Sequence, residues 1–464
     1  MKRETLIFDA VVAGAGTSGA AAAAFLAEAG LRVAVFERRP WDKGGARWIN
    51  AVPGWIFDRV GMDQPVPPEL HGVFGTGSFR SPQGSASIEL SAVPVWDVDM
   101  RALGDRLRQQ ALDAGVTVFD RADLESVSLQ DGRVRSIDIA RSRPGGNGRR
   151  YRLEATLFVD ATGLAGALRN RVPVLQRDCP PVPPQHSCTA ASCLHHIADR
   201  DGARRFLDRH GLEPGRSVTW LSITGGFSTL IVSIDEAVEE VSFVTGTIAD
   251  GRHPTGPELL ERSRRELPWV GEPRFGGEGV IPLRRPYDRL TAPGIALVGD
   301  AGCQVFSTHG SGVGNGMIAA RILADTVAGA GDPGDPDLLW GYQAAYQRER
   351  GAQSAPFDVF RRLSQTWTPD DVEDLLSADV LSPNLWAEGI LQRLAPPNGD
   401  AALRGIRCAL HRPRVIAALA PHVARMYAVH GLYRVYPSVP SRRLLRAWSQ
   451  AAAMLFGEVP DIRG

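Results

Sequence analysis

The chain has 464 residues, 44% of them hydrophobic and 22% charged, and its 52 basic and 52 acidic side chains cancel. That length accommodates two or three separately cored domains. The composition excludes a disordered or collagen-like chain, and zero net charge gives no reason to expect a nucleic-acid partner.

The first residues, MKRETLIFDAVVAGAG, have the outline of a secretory signal, but Asp9 interrupts the apolar stretch. No segment reaches the ~18 uncharged residues of a transmembrane span. Five cysteines, an odd number, do not suggest a disulfide framework, and a cytoplasmic protein is expected. Residues 9–39, DAVVAGAGTSGAAAAAFLAEAGLRVAVFERR, read as strand, glycine turn, Ala-rich helix and second strand. Gly14, Gly16 and Gly19 form GxGxxG, and Glu37 follows Gly14 by 23 residues. Those offsets suit a dinucleotide: a tight turn at Gly14, close approach of a pyrophosphate at Gly16, helix–strand packing at Gly19 and a ribose acceptor at Glu37. NAD and FAD both satisfy this unit.

Residues 41–97 are loop-rich, with Pro and Gly throughout, and are expected to fold over the cofactor. The stretch 98–118 reads as an amphipathic helix and a strand, 135–159 as a hairpin around PGGNG, and LFVDATGLAGALR (157–169) as a strand ending in Asp160-Ala-Thr-Gly163. PPVPPQ (180–185) marks a boundary. Alternating stretches from 219 to 248 predict antiparallel strands, with helices near 199–211 and 257–267. An apolar strand, 294–298, then enters GDAGCQVFSTHGSGVGNG (299–316), which carries six glycines before a helix. AGAGDPGDPD (328–337) is a linker, and the remainder reads as mainly helical.

The glycine motif, Asp160-Ala-Thr-Gly163 and Gly299-Asp300, in this order, resemble those of the FAD-dependent group that contains geranylgeranyl reductases, flavin-dependent halogenases and aromatic-hydroxylase-like monooxygenases. The resemblance implies an α/β fold: a Rossmann-like FAD-binding domain of the GR2 flavoprotein type, discontinuous over 1–179 and 286–330, an antiparallel-sheet substrate domain over 180–285 and a mainly helical region over 331–464. It implies FAD, held at its ADP part by Gly14, Gly16, Ser18, Gly19, Glu37 and Arg38. Asp300 falls beside the ribityl chain and pyrophosphate. The amides of Gly310, Ser311, Gly312 and Val313 fall against the flavin pyrimidine, where a helix N-terminus stabilises the charge of reduced flavin. Arg47, ten residues after Glu37, matches the group's basic residue, and Arg101 its flavin-proximal arginine. This chain departs from the pattern at Ser307-Thr308-His309, where relatives often have a proline, and at Trp48-Ile49-Asn50, where some prenyl reductases have Cys-Gly.

Four reactions compete. A halogenase of this group needs an active-site lysine, and residues 44–464 contain none. The favoured reading is a monooxygenase, a hydroxylase or epoxidase, acting on an aromatic or polyketide-like small molecule in secondary metabolism through a flavin C4a-hydroperoxide. It would use O2, with electrons from NADPH, NADH or a separate flavin reductase. The alternative is reduction of prenyl C=C bonds, and a non-redox cyclase or isomerase is the remaining class. His309 is the candidate catalytic residue, as proton donor to substrate, or else a hydrogen-bonding member of its loop. No metal is expected: Cys179, Cys188, Cys193, His195 and His196 are near one another in sequence, but CTAASCLHH (188–196) lacks paired CxxC spacing. Cys303 is a redox thiol, a flavin attachment point or a small buried residue. Trp41, Trp48, Trp55, Trp96 and Trp220 line an apolar pocket or belong to ordinary cores.

Overall fold

A computed structural model describes residues 3–74, 76–91, 93–143, 146–378, 382–396 and 399–458. The strands Ala10–Ala13, Val33–Glu37 and Leu157–Asp160 are buried at every position. Strands this apolar on both faces need covering layers on both sides, the environment of a parallel sheet. They lie in a six-stranded sheet ordered Thr291–Ala292, Ile295–Leu297, Leu157–Asp160, Ala10–Ala13, Val33–Glu37, Thr117–Asp120, parallel except at the Thr291–Ala292 edge. Asp160 is in register with both Ala13 and Leu297, and Ala13 with Phe36, so these strands end along one line. Ligands of open α/β sheets bind beyond that edge.

The helices Thr17–Glu28, Met100–Asp113 and Val313–Val327 pack side by side on one face. Ala20 to Ala24 are all fully buried, and their short side chains let the first helix lie close to its neighbours. The other face is covered by an antiparallel sheet of Ala122–Gln130, Arg133–Arg143 and Gly146–Glu154, whose Ile137, Ile139 and Leu153 enter the same core. The expected hairpin is therefore present, although Pro144 and Gly145 at its tip lie outside the described residues.

A seven-stranded sheet runs Val270–Pro282, Ser187–Ile197, Glu240–Ile248, Ser228–Ile234, Ser217–Leu221, Gly77–Arg80, Ser87–Leu90. Its last two strands come from the stretch read as loop-rich, and Gly77–Arg80 joins parallel to Ser217–Leu221. Alternation along Ser228–Ile234 sends Leu230, Val232 and Ile234 to a core under the helix Arg200–His210, and Thr229, Ile231 and Ser233 to the opposite face. A third small sheet joins Ile49–Pro53, Val95–Asp99 and Leu70–Val73.

From Pro336 the described chain is helical: Pro336–Tyr346, a π turn Gln347–Gly351, Ala352–Ser364, Pro369–Ser377, Pro383–Ile390, Gly399–His411, Pro413–Arg434 and Arg442–Phe456. Fully buried Asp358 fixes Ala352–Ser364 to the rest. It accepts from Arg361, from Arg362 at 3.2 Å and from the Arg285 amide at 3.1 Å. These cations hold its carboxyl well below the usual carboxylate range against the opposing cost of burial.

Candidate functional site

The glycines of the first turn differ in what they allow. Gly14 has φ +92°, and a Cβ on it would stand 2.7 Å from the Ala161 carbonyl oxygen. A Cβ on Gly16 would find nothing closer than Gly45 Cα, at 3.6 Å. Packing therefore does not require glycine at 16, and the residue opens onto a cavity. It also N-caps the helix Thr17–Glu28 without any side-chain cap, which leaves amides and the positive helix end available to an anion. Ser18 is wedged behind, against Gly299 and Gly316, where added Cβ atoms would lie 2.6 and 2.0 Å from its Oγ.

Buried Glu37 accepts from the Ala15 amide at 2.8 Å and the Arg39 amide at 2.9 Å. It thus ties the second strand to the glycine turn, and each oxygen keeps a further lone pair for a hydroxyl. Asp160 serves its own turn, accepting from the amides of Thr162, Leu168 and Arg169 at 3.0, 2.9 and 2.7 Å. Buried Arg169 then donates to the Ala301 carbonyl at 2.8 Å, linking that turn to the one bearing Asp300. Asp300 faces the cavity with no hydrogen-bond partner for its carboxyl among the described residues, and burial pushes it up to about 6.

The turn before Val313–Val327 is closed by Phe306, whose amide donates to Ser311 O at 2.9 Å and whose carbonyl accepts from the Gly310 amide at 2.9 Å. The Gly310 amide is therefore used within the loop, contrary to the expectation that it faces the flavin. The amides of Ser311, Gly312 and Val313 have no partner among the described residues. His309 packs its ring on Phe306, centroids 4.7 Å apart, and Phe306 packs on Phe357 at 4.5 Å. Desolvation lowers the imidazole to about 4 although it donates to the Gly389 carbonyl, so it is neutral at physiological pH.

Gly14, Gly16, Ser18, Glu37, Asp300 and the turn from His309 to Val313 line one cavity of about 1010 Å³, which also receives Arg38 and Trp48, whereas Gly19 and Asp160 do not reach it. Arg47 and Arg101 do not line it. Arg47 donates to the Asp42 carbonyl at 3.4 Å, and Arg101 pairs with Asp99 at 2.6 Å beneath the Phe275 ring. Of the five tryptophans considered, Trp48 alone reaches the cavity, lying over Gly277 and Gly279; Trp367, in the connection after Ala352–Ser364, and Trp386, on the helix Pro383–Ile390, join it. Cys303 is fully buried, and burial raises its thiol. Among the described residues no three His, Cys, Asp or Glu side chains form a metal-holding group.

Sequence reasoning missed Asp97. It sits opposite Ala51 in the small sheet, and Ser311 Oγ donates to the Ala51 carbonyl at 3.5 Å, so Asp97 stands one strand away from the turn that bears Ser311. Val95 and Asp97 face the cavity from alternate positions, the carboxyl has no hydrogen-bond partner among the described residues, and desolvation pushes it up to about 7. The signal was an acid at an inward position of VWDVD, invisible without the pairing.

The open glycine turn, the three unpartnered amides and the unpaired Asp300 together fit an FAD: anion site, pyrimidine site and hydroxyl acceptor occur along one continuous groove. A family model described as FAD dependent oxidoreductase matches residues 9–169. The chain is 25% identical over 451 residues to a digeranylgeranylglycerophospholipid reductase of Sulfolobus acidocaldarius, covering 94% of this chain and 95% of that protein. It is 25% identical to a menaquinone reductase of Mycolicibacterium smegmatis over 77% of this chain and 83% of the relative. A geranylgeranyl bacteriochlorophyll reductase-like structure from Thermoplasma acidophilum, 15% identical, superposes with a TM-score of 0.70 over 90% of this chain and all of that one. Its turns, its three-layer nucleotide domain and these similarities identify an FAD-dependent oxidoreductase that is similar, over nearly its whole length, to reductases of geranylgeranyl type.

Proposed function

We propose that the chain reduces carbon–carbon double bonds of an apolar, isoprenoid-like substrate. The observation that carries this reading is the continuity of the cavity. It runs from the turn at His309–Val313 to an apolar end between the seven-stranded sheet and the C-terminal helices, lined there by Phe79, Val95, Phe360, Trp367, Val372 and Trp386. A long apolar chain seated there leaves water along its length, a gain of about 0.8 kcal/mol per buried CH₂. When bound and reduced, the flavin supplies a hydride. The protein supplies the dry site, the orientation of the chain and a proton for the second carbon.

Asp97 is suited to that proton. Its neighbours in the cavity wall leave the carboxyl substantially protonated near neutrality, and general acids work best with a pKa near the operating pH. Asp97 would donate its proton to the alkene carbon next to the one that takes the hydride, and a proton from solvent would restore the carboxyl. Neutral His309 positions the turn through Gly389 and holds no proton to give below its second ionisation. Similarity to a digeranylgeranylglycerophospholipid reductase over nearly the whole chain supports reduction over the monooxygenation that the sequence favoured.

Holoprotein reduced anaerobically with NADPH, NADH or dithionite and mixed with a geranylgeranyl-chain lipid tests this. The expected result is reoxidation of the flavin without oxygen and a product heavier by one H₂ per bond reduced. Reoxidation only on admission of oxygen, with a product that gains an oxygen atom, overturns it.

A further inference from the structure

The helix Gly399–His411 is built the wrong way round for a water-facing surface. Its buried residue is Cys408, while Leu403, Ile406 and Leu410 are 55, 60 and 76% exposed. Positions 403, 406 and 410 follow the i, i+3, i+7 spacing of one helix face, so three large aliphatic side chains form an outward stripe. On the helix Pro413–Arg434, which packs against it, Val423 is also exposed, at 44%. Contiguous apolar stripes of this kind on a protein surface mark contact sites.

Charge selects the partner. Residues 399–434 contain six arginines, at 404, 407, 412, 414, 425 and 434, and a single acid, Asp400, in a chain whose net charge is zero. Arg407 stands on the same face as the stripe, and Arg407, Arg414 and Arg425 are exposed. Two copies of this face would bring like charges together, whereas an anionic surface complements them. An aliphatic stripe flanked by arginines is the pattern of a helix lying in the headgroup region of a bilayer.

Position in the fold adds a reason. Arg412 pairs with Asp374 at 2.6 Å, which fixes this face to the helix Pro369–Ser377, whose Val372 lines the apolar end of the cavity. We propose that Gly399–His411 and the start of Pro413–Arg434 form a docking face for the surface of an anionic phospholipid bilayer. The inference goes beyond the reaction and does not depend on it.

The test is flotation of purified holoprotein with phosphatidylcholine vesicles, with or without phosphatidylglycerol, alongside sedimentation velocity in the absence of lipid. Two variants accompany the wild type: Leu403→Gln/Ile406→Gln/Leu410→Gln and Arg407→Glu/Arg414→Glu. Each is accepted only with wild-type flavin content, which shows that it folds; the triple substitution replaces exposed side chains, and a single Leu410→Gln substitutes for it if the triple variant is not soluble. The expected result is preferential binding to the anionic vesicles, weakened by salt and reduced at least about tenfold in both variants. No binding to either vesicle, equal binding to both vesicles, or binding that the variants leave unchanged overturns the proposal. So does a wild-type dimer that the aliphatic substitutions dissociate, because a second copy would then be what covers the stripe.

Discussion

Gly19 lies so close beneath Gly14 that a Cβ on it would stand 2.0 Å from the Gly14 carbonyl oxygen. Three residues earlier, a Cβ on Gly16 would make only an ordinary 3.6 Å contact. One motif therefore contains a glycine that the fold requires and a glycine that packing leaves free, and the two separate experimentally. Gly19→Ala should destabilise the protein itself, by about 1–3 kcal/mol for an overpacked contact, seen as a lower melting temperature even after flavin has been stripped. Gly16→Val should leave the stripped protein's melting temperature close to wild type and yield little or no bound FAD. Full flavin content in Gly16→Val would separate this turn from the pyrophosphate.

Much of this nucleotide site is written locally. Glycine spacing, an Ala-rich helix and an acid at the end of the second strand lie within one βαβ unit, so the first motif and Glu37 are legible without any long-range contact. The strands Gly77–Arg80 and Ser87–Leu90 are not. They are four residues long among Pro and Gly, and they are extended because Ser217–Leu221, far along the chain, offers them an edge. Arg47 and Arg101 fail for a related reason. The spacing brings an arginine to the right neighbourhood, but the Asp42 carbonyl and the Asp99 carboxylate decide where each guanidinium goes. Asp97 lies in a strand whose inward face exists only once Ile49–Pro53 pairs with it.

Asp358 gives a prediction about stability alone. With Asp358→Asn, Arg361 stays buried without its counter-charge, and breaking such a pair typically costs about 3–5 kcal/mol. A marked fall in the denaturant midpoint is expected, with flavin retained in whatever protein folds. The native carboxyl is depressed below its unfolded value, so its contribution is fully present above the unfolded pKa and is lost as pH falls through the native one. Acid unfolding of the wild type should therefore be steeper than that of the variant. Midpoints within experimental error of each other would mean that the pair contributes no net stability.

Asp300 should behave in the opposite way. Its carboxyl is raised to about 6 by burial, with no compensating partner, so at pH 7.5 the flavin-free protein holds an uncompensated charge. Asp300→Asn should therefore leave the stripped protein as stable as wild type or more so, while weakening FAD retention through loss of a hydroxyl acceptor. A less stable stripped variant with unchanged FAD affinity would make Asp300 a structural residue.

The pair Asp97 and His309 decides where the proton comes from. Asp97 is raised to about 7 and His309 lowered to about 4, so at pH 6 the carboxyl is mostly protonated and the imidazole mostly neutral. If Asp97 is the acid, turnover should be level below about pH 7 and fall tenfold per unit above it, because the protonated fraction falls in that way. Asp97→Asn keeps the shape of the side chain but has no proton to give. It should lower kcat by on the order of 10²–10⁴-fold and abolish the alkaline limb, with flavin content and hydride transfer into the flavin unchanged. Asp97→Glu should restore part of the rate. His309→Ala should leave the alkaline limb in place, since the imidazole does not titrate there, and should lower the rate only as far as the turn loosens once Gly389 loses its donor. An alkaline limb that survives Asp97→Asn and disappears in His309→Ala would reverse the assignment and make the histidine the proton donor.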